Sequence, residues 1–350
     1  NWLDRGLEEA LRAVDNRPSA ASYRCLGSIH RASGNHREAA EALERAIELA
    51  PNSGATHFEL GVAYQSLGRI DAAERELLRS SNLRPGFWPG PQQLGVLYFS
   101  QGEQQAAANA WRQVVLSAPE YDGGYLNLGI VSHLLGRLED AREYYTKAIA
   151  LAPDTSYDAY ANLGAIHFDE ARFADAIVMF ERALSLHESR ADLWGSLGYS
   201  CAYSGQSERA EDAFRHAIDL AEQQRRTSTD DDPELLSDLA GYHAMVGDHD
   251  TSFRLLERTI EIGSRDPRVL ANIGETYEDL GEREAALHWI GRALDAGIAP
   301  ENFANKPTLR GLIDDERYRR MIERDSSPEA SAPPPASDDQ STGANQEQGR

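Results

Sequence analysis

Three asparagines carry the chemistry this sequence offers most plainly. Asn127, Asn162 and Asn272 each stand immediately before a leucine–glycine or isoleucine–glycine pair. A carboxamide presents both a donor and an acceptor, so it can pair with a peptide main chain whatever the side chains of that peptide are. Around them, on the same helical face, fall Phe58, Phe99, Leu126, Ile130, Phe168, Tyr199 and Tyr203. Gln65, Gln92, Gln93 and His133 lie between these. Aromatic groups exposed along such a face are anchor sites for a partner. Further along come Asp169, Asp192, Glu234, Asp238, Glu275, Glu278 and Asp279, relieved by Arg268. That run should repel anionic termini and attract Lys/Arg-rich segments.

Reaction chemistry finds little footing. Neither common form of phosphate-cradling glycine loop is present, and no histidine pair has the spacing of a zinc protease. His30 and His167 occupy a position held elsewhere by Tyr64, Tyr98 and Tyr277, and read as rings packed in place of those. His243 and His249 flank a turn at Gly247 and read as turn residues, not metal ligands. Glu8-Glu9 and Asp314-Asp315 read as solvated helix faces. No Ser–His–Asp arrangement follows from the spacing. The expectation is a protein that is not an enzyme and takes no cofactor and no metal.

Composition narrows the partners. The 57 acidic residues outnumber 35 basic ones, for a formal charge of −22. Such a balance opposes binding to a phosphate backbone, so nucleic acid is not expected; it favours solubility and basic partners. Lysine occurs only at Lys147 and Lys306. Cys25 and Cys201 lie five repeats apart, far beyond the roughly 7 Å reach of a disulfide, and both read as small core residues. No apolar run is long enough to span a membrane, and a cytoplasmic location is expected. The chain begins at Asn1 rather than methionine, which suggests a fragment that could lack targeting signals.

The elements that hold these residues come from a beat. Leu-Gly recurs at Leu26-Gly27, Leu60-Gly61, Leu94-Gly95 and Leu128-Gly129 with a spacing of 34, then at Leu163-Gly164 and Leu197-Gly198. Leu239-Ala240 and Ile273-Gly274 follow after a longer gap. A period of that size marks stacked supersecondary units. In the first, Tyr23, Leu26, Gly27 and His30 share one helical face, Gly34 breaks the helix, Ala39, Leu43 and Ala46 share a second face, and Pro51 ends the unit. The small residue after leucine lets the second helix approach closely, and a large residue between alanines fills the remaining space.

These motifs resemble the tetratricopeptide repeat over about residues 20–300. The resemblance implies an all-α fold, a right-handed superhelical solenoid of helix–turn–helix repeats with a C-terminal cap and a disordered tail. It also implies that first helices line a concave groove that grips extended peptides, so the asparagines and rings above become a peptide-binding site. The partner expected is a protein or peptide with basic and apolar segments; the oligomeric state stays open. Binding of chaperone tails is not expected, because Arg24 and Arg31 stand alone where a basic carboxylate clamp would sit.

The repeats divide the chain as follows. Residues 1–19 read as a second helix alone, 20–222 as repeats one to six, 223–232 (QQRRTSTDDD) as an extended helix end plus an inserted loop, and 233–300 as repeats seven and eight. Residues 301–324 read as the cap, carrying Leu309, Leu312, Ile313, Tyr318, Met321 and Ile322, and 325–350 as the disordered tail. Glu188 and Glu222 replace the closing proline in repeats five and six. Ser252 and Thr259 replace alanines in repeat seven, where looser packing is expected. The closing run from Ala285 through Arg324 resembles the ends of repeat arrays in bacterial multidomain regulators, which join such arrays to a protein kinase, a cyclase or a DNA-binding module. A regulatory or sensory arm of such a protein is the alternative to a free-standing, non-catalytic scaffold.

Overall fold

A computed structural model describes residues 2–300, 303, 306–312 and 314–325. The expected tail lies outside the described residues, apart from Asp325, which ends a helix. The chain divides into two compact units, Asn1–Gln223 and Gln224–Arg350. Among the described residues every regular element is helical.

The first unit opens with α1 (Trp2–Asn16) and continues as helix hairpins. These are α2 (Ala20–Ala32) with α3 (His36–Leu49), α4 (Gly54–Ser66) with α5 (Ile70–Leu83), and α6 (Pro89–Ser100) with α7 (Gln104–Ser117). Then come α8 (Asp122–Leu134) with α9 (Leu138–Leu151), α10 (Tyr157–Asp169) with α11 (Phe173–Leu186), and α12 (Ala191–Tyr203) with α13 (Ser207–Thr227), of which residues 224–227 fall in the second unit. Each hairpin closes on the small residue after its leucine. A Cβ added to Gly95 would lie 2.4 Å from the Trp111 indole, and one on Gly129 would lie 2.4 Å from the Tyr145 ring. Second helices thus rest directly on first-helix backbone. Leu43, Leu77, Trp111, Tyr145, Phe180 and Phe214 fill this seam and are buried. Burial of one such side chain is worth about 2–3 kcal/mol.

The same second helices pack forward as well. Ala141, Tyr145 and Ala148 of α9 share one cluster with Ala159, Leu163 and Ile166 of α10. Separate clusters of this kind thus join one repeat to the next, as a solenoid requires.

Tight turns join the helices of each hairpin, and most use glycine at positive φ, as at Gly136 (φ 70°). The fifth repeat departs from this: Ala171 stands at the turn with φ 57°. A side chain in that region costs about 1 kcal/mol. Ala171→Gly should therefore raise the stability of the first unit by about 1 kcal/mol in a urea melt; an unchanged or lower midpoint would contradict this.

Cys201 is buried as expected, but Cys25 is exposed. Cys25 directly precedes Leu26, the register that Glu59, Gln93, Asn127 and Asn162 hold in later repeats. That register faces away from the hairpin seam, which is why the small-core reading fails for Cys25 and holds for Cys201.

The second unit contains α14 (Pro233–Met245) with α15 (His249–Ile262) and α16 (Pro267–Asp279) with α17 (Arg283–Asp295). A 3-10 helix (Pro307–Leu312) and α18 (Glu316–Asp325) follow. The looser packing expected at Ser252 and Thr259 is not found. Both are buried, and their hydroxyls donate to the carbonyls of Ala240 (2.7 Å) and Leu255 (2.8 Å). A buried hydroxyl fits the seam once backbone satisfies it. Leu309, Leu312 and Tyr318 of the cap are buried, and the Tyr318 hydroxyl donates to the Phe303 carbonyl at 2.6 Å. Ile313 lies outside the described residues.

Candidate functional site

First helices stand beside first helices in the first unit: α2 touches α4, α4 touches α6, α8 touches α10, and α10 touches α12. Residues of equal register therefore form rows, and polar side chains bridge those rows. Arg24 pairs with Glu59 at 3.1 Å, and the Ser28 hydroxyl donates to the same carboxylate. The Gln93 amide donates to Gln65. Asn127 donates to the Gln92 oxygen at 3.4 Å. Asn162 donates to the carbonyl of Asp158, one turn back in its own helix, at 2.8 Å. All of the predicted polar positions Gln65, Gln92, Gln93, Asn127 and Asn162 are half-buried. Each asparagine is held by one N–H. Among the described residues no hydrogen bond falls on either carboxamide oxygen, so each keeps its acceptor and a second N–H.

The predicted rings and aliphatics separate into two groups. Phe58 meets Phe87 edge-on at 5.4 Å and packs on the Ala73, Leu77 and Leu94 cluster. Leu126 and Ile130 pack on the Tyr145 cluster. Tyr199 meets Phe214 edge-on at 5.0 Å. These four serve the core at least as much as the wall. Phe99 stays 38% exposed, although it touches Trp111, so its outer edge is accessible. Phe168, Phe173 and Tyr203 form a triangle of half-buried rings with centroids 5.5–5.7 Å apart. Phe173, at the start of α11, escaped the sequence reading because it lies on a second helix.

Electrostatics leave this wall mostly neutral. Burial pushes the His133 imidazole below the ordinary histidine range. Burial, then the Arg172 charge, does the same to His167. Both shifts favour the neutral imidazole. Asp169 is half-buried, and Asp192 is clasped by Arg190. Tyr98 is pushed up to about 12 by burial and by its bond to Glu74, so it stays a hydroxyl donor.

The second unit differs from expectation. Asn272 donates to the Asp238 carboxylate at 2.8 Å, and Arg268 lies 3.3 Å from Glu234. Glu275 receives Lys306 and, at 2.7 Å, the Thr308 hydroxyl from the cap. Glu278 pairs with Arg283 at 2.8 Å. Much of the acidic run is thus met by the chain's own cations, of which sequence reasoning named Arg268 but missed Arg283 and Lys306. The rarity of lysine was the available signal, since one of only two reaches this site. Among the described residues Asp279 has no such partner, and burial, then Glu275 and Glu278, push it up to about 7.

Family models described as tetratricopeptide repeat match residues 30–89, 124–189, 162–225 and 267–296. Human (Homo sapiens) Protein O-mannosyl-transferase TMTC1 is 24% identical over 148 residues, covering 42% of this chain and 16% of that protein. The Arabidopsis thaliana Protein CTR9 homolog is 23% identical over 227 residues, covering 60% and 20%. The chain spans a fifth or less of the length of these relatives. Among solved structures, a tetratricopeptide repeat protein from Parabacteroides merdae ATCC 43184 aligns over 77% of this chain and 98% of its own, with TM-score 0.56 and 16% identity. The APC/C hetero-tetramer Cut9-Hcn1 aligns over 78% and 52%, with TM-score 0.54 and 19% identity. These likenesses concern the fold alone. Among the described residues, no helix is long and apolar enough to cross a membrane.

Proposed function

The chain belongs to the tetratricopeptide repeat family, and from that premise we propose that the first-helix wall of its first unit binds an extended peptide. The observation that carries this reading is the pair Asn127 and Asn162. Each is fixed by one hydrogen bond, which leaves its oxygen and second N–H to take a peptide group. Side chains held in advance lose little entropy on binding. Phe99 and the Phe168–Tyr203 rings supply apolar anchors on the same wall. The overall charge of −22 favours a partner with basic segments. Catalysis is no part of this reading.

A peptide array probed with the full chain, followed by fluorescence anisotropy on a selected peptide, tests the proposal. Asn127→Ala with Asn162→Ala should weaken binding about ten- to a hundredfold, since two amide bonds are worth roughly 1 kcal/mol or more each. An unchanged affinity would remove the groove reading. One fact favours the second reading, a regulatory arm of a larger protein. The curated relatives that the chain matches are several times longer than the aligned stretch.

A further inference from the structure

Helix α13 runs for 21 residues where α11 has 14. The surplus turns carry Arg225 and Arg226, both exposed. Ser228 is the first residue past the helix and is also exposed. Its backbone N–H donates to the carbonyls of Gln224 (3.2 Å) and Arg225 (3.3 Å). Its hydroxyl donates to the Asp230 carbonyl at 2.8 Å. The segment is tied at its far end, where Arg258 holds Asp231 at 2.7 Å and Asp232 accepts from the Glu234 N–H at 3.0 Å. Ser228 therefore sits on a short non-helical stretch with arginines three and two residues before it. Ser185, Ser196 and Ser200, by contrast, lie inside helices and donate to carbonyls of their own turn. The chain's other adjacent arginines, Arg319-Arg320, precede Met321 and Ile322, which offer no hydroxyl.

We propose that Ser228 is a phosphorylation site, read by a protein kinase whose substrate cleft carries carboxylates for Arg225 and Arg226. Guanidinium groups suit such a cleft because each binds a carboxylate in a bidentate fork. The helix ends at Thr227, so the segment can extend into the cleft while the remainder of α13 stays folded. In the transfer, the Ser228 oxygen attacks the γ-phosphorus of a nucleoside triphosphate. The bond from that phosphorus to the β–γ bridging oxygen breaks, the nucleoside diphosphate leaves with the electron pair, and the hydroxyl proton passes to a carboxylate of the kinase. The product, carrying about two negative charges, lies between the two arginines and Asp230–Asp232 and pairs with the arginines. That pairing shields the Arg225 and Arg226 peptide bonds from trypsin.

The full chain is incubated with a nucleoside triphosphate and either an arginine-directed or an acid-directed serine kinase, and peptide mass spectrometry locates the phosphoryl group. The arginine-directed kinase should place one group on Ser228, with none on Ser228→Ala. The double variant Arg225→Ala/Arg226→Ala should slow transfer roughly tenfold or more, the size of one lost charge contact. Asp230→Asn/Asp231→Asn should leave the rate unchanged. Phosphorylated chain should resist tryptic cleavage at 225 and 226. No transfer to Ser228, equal rates in the arginine variant, or transfer only by the acid-directed kinase through Asp230 and Asp231 would each overturn the proposal. None of these outcomes depends on the peptide groove.

Discussion

Gly129→Ala is expected to destabilise the first unit by about 2 kcal/mol, although alanine is the better helix former. The new Cβ would fall 2.4 Å from Tyr145, whose ring is fully buried and closed in by Ala141, Ala148, Leu163 and Ile166. Neither the ring nor the α8 backbone has space to yield, so α9 must move off α8. Gly6→Ala in α1 makes the same chemical change, yet its Cβ meets only Ile29 at 3.5 Å, an ordinary contact. That variant should gain up to about 1 kcal/mol from helix propensity alone. Opposite signs in urea melts of the two variants would establish that close helix approach, not propensity, sets the demand for glycine after leucine. Hydrogen exchange should show the loss at Gly129 concentrated in α8 and α9 and the helices next to them, because repeats couple to their neighbours.

The second large effect concerns Asp279. Its carboxyl is pushed up to about 7, first by burial and then by Glu275 and Glu278. The neighbouring cations are committed elsewhere: Lys306 binds Glu275, and Arg283 binds Glu278. In the folded protein Asp279 therefore keeps its proton between pH 4 and 7, where the unfolded chain has released it. Protons are bound in excess by the native state, so the stability of the second unit falls as pH rises through that window and levels off above it. The full span corresponds to at most about 4 kcal/mol. Asp279→Asn, which carries no charge to bury, should stabilise the second unit by a few kcal/mol at pH 8 and flatten this slope. Amide exchange in α16 and α17 at pH 5 and pH 8 reads it directly, after correction for intrinsic rates. A steep slope that persists in the variant would assign it to another group.

Much of the fold was legible because the repeat makes its own contacts predictable. A glycine and the bulky residue opposite it recur at fixed spacing, as Gly129 and Tyr145 do, so hairpin and seam follow from register alone. The row of Asn127 and Asn162 was legible for the same reason. Register does not tell how side chains choose among neighbours. Asn272 shares the register of Asn127, but Asp238 lies within 2.8 Å of it and takes its amide. Phe58 and Phe99 both lie on first helices, but only Phe58 finds a loop ring, Phe87, to cover it. Cys25 was misplaced because cysteine is commonly buried, whereas its position is one that faces outward. Ala171 gave no signal of its positive φ, since alanine marks helices far more often than turns.

A photo-reactive benzophenone residue at Phe99, on the first-helix wall, and separately at Leu116, exposed on a second helix, tests where a partner lies. After irradiation with a peptide selected by the full chain, the Phe99 position should form the covalent adduct and the Leu116 position should not. Capture at Leu116 with none at Phe99, or equal capture at both, would contradict a binding surface made of first helices.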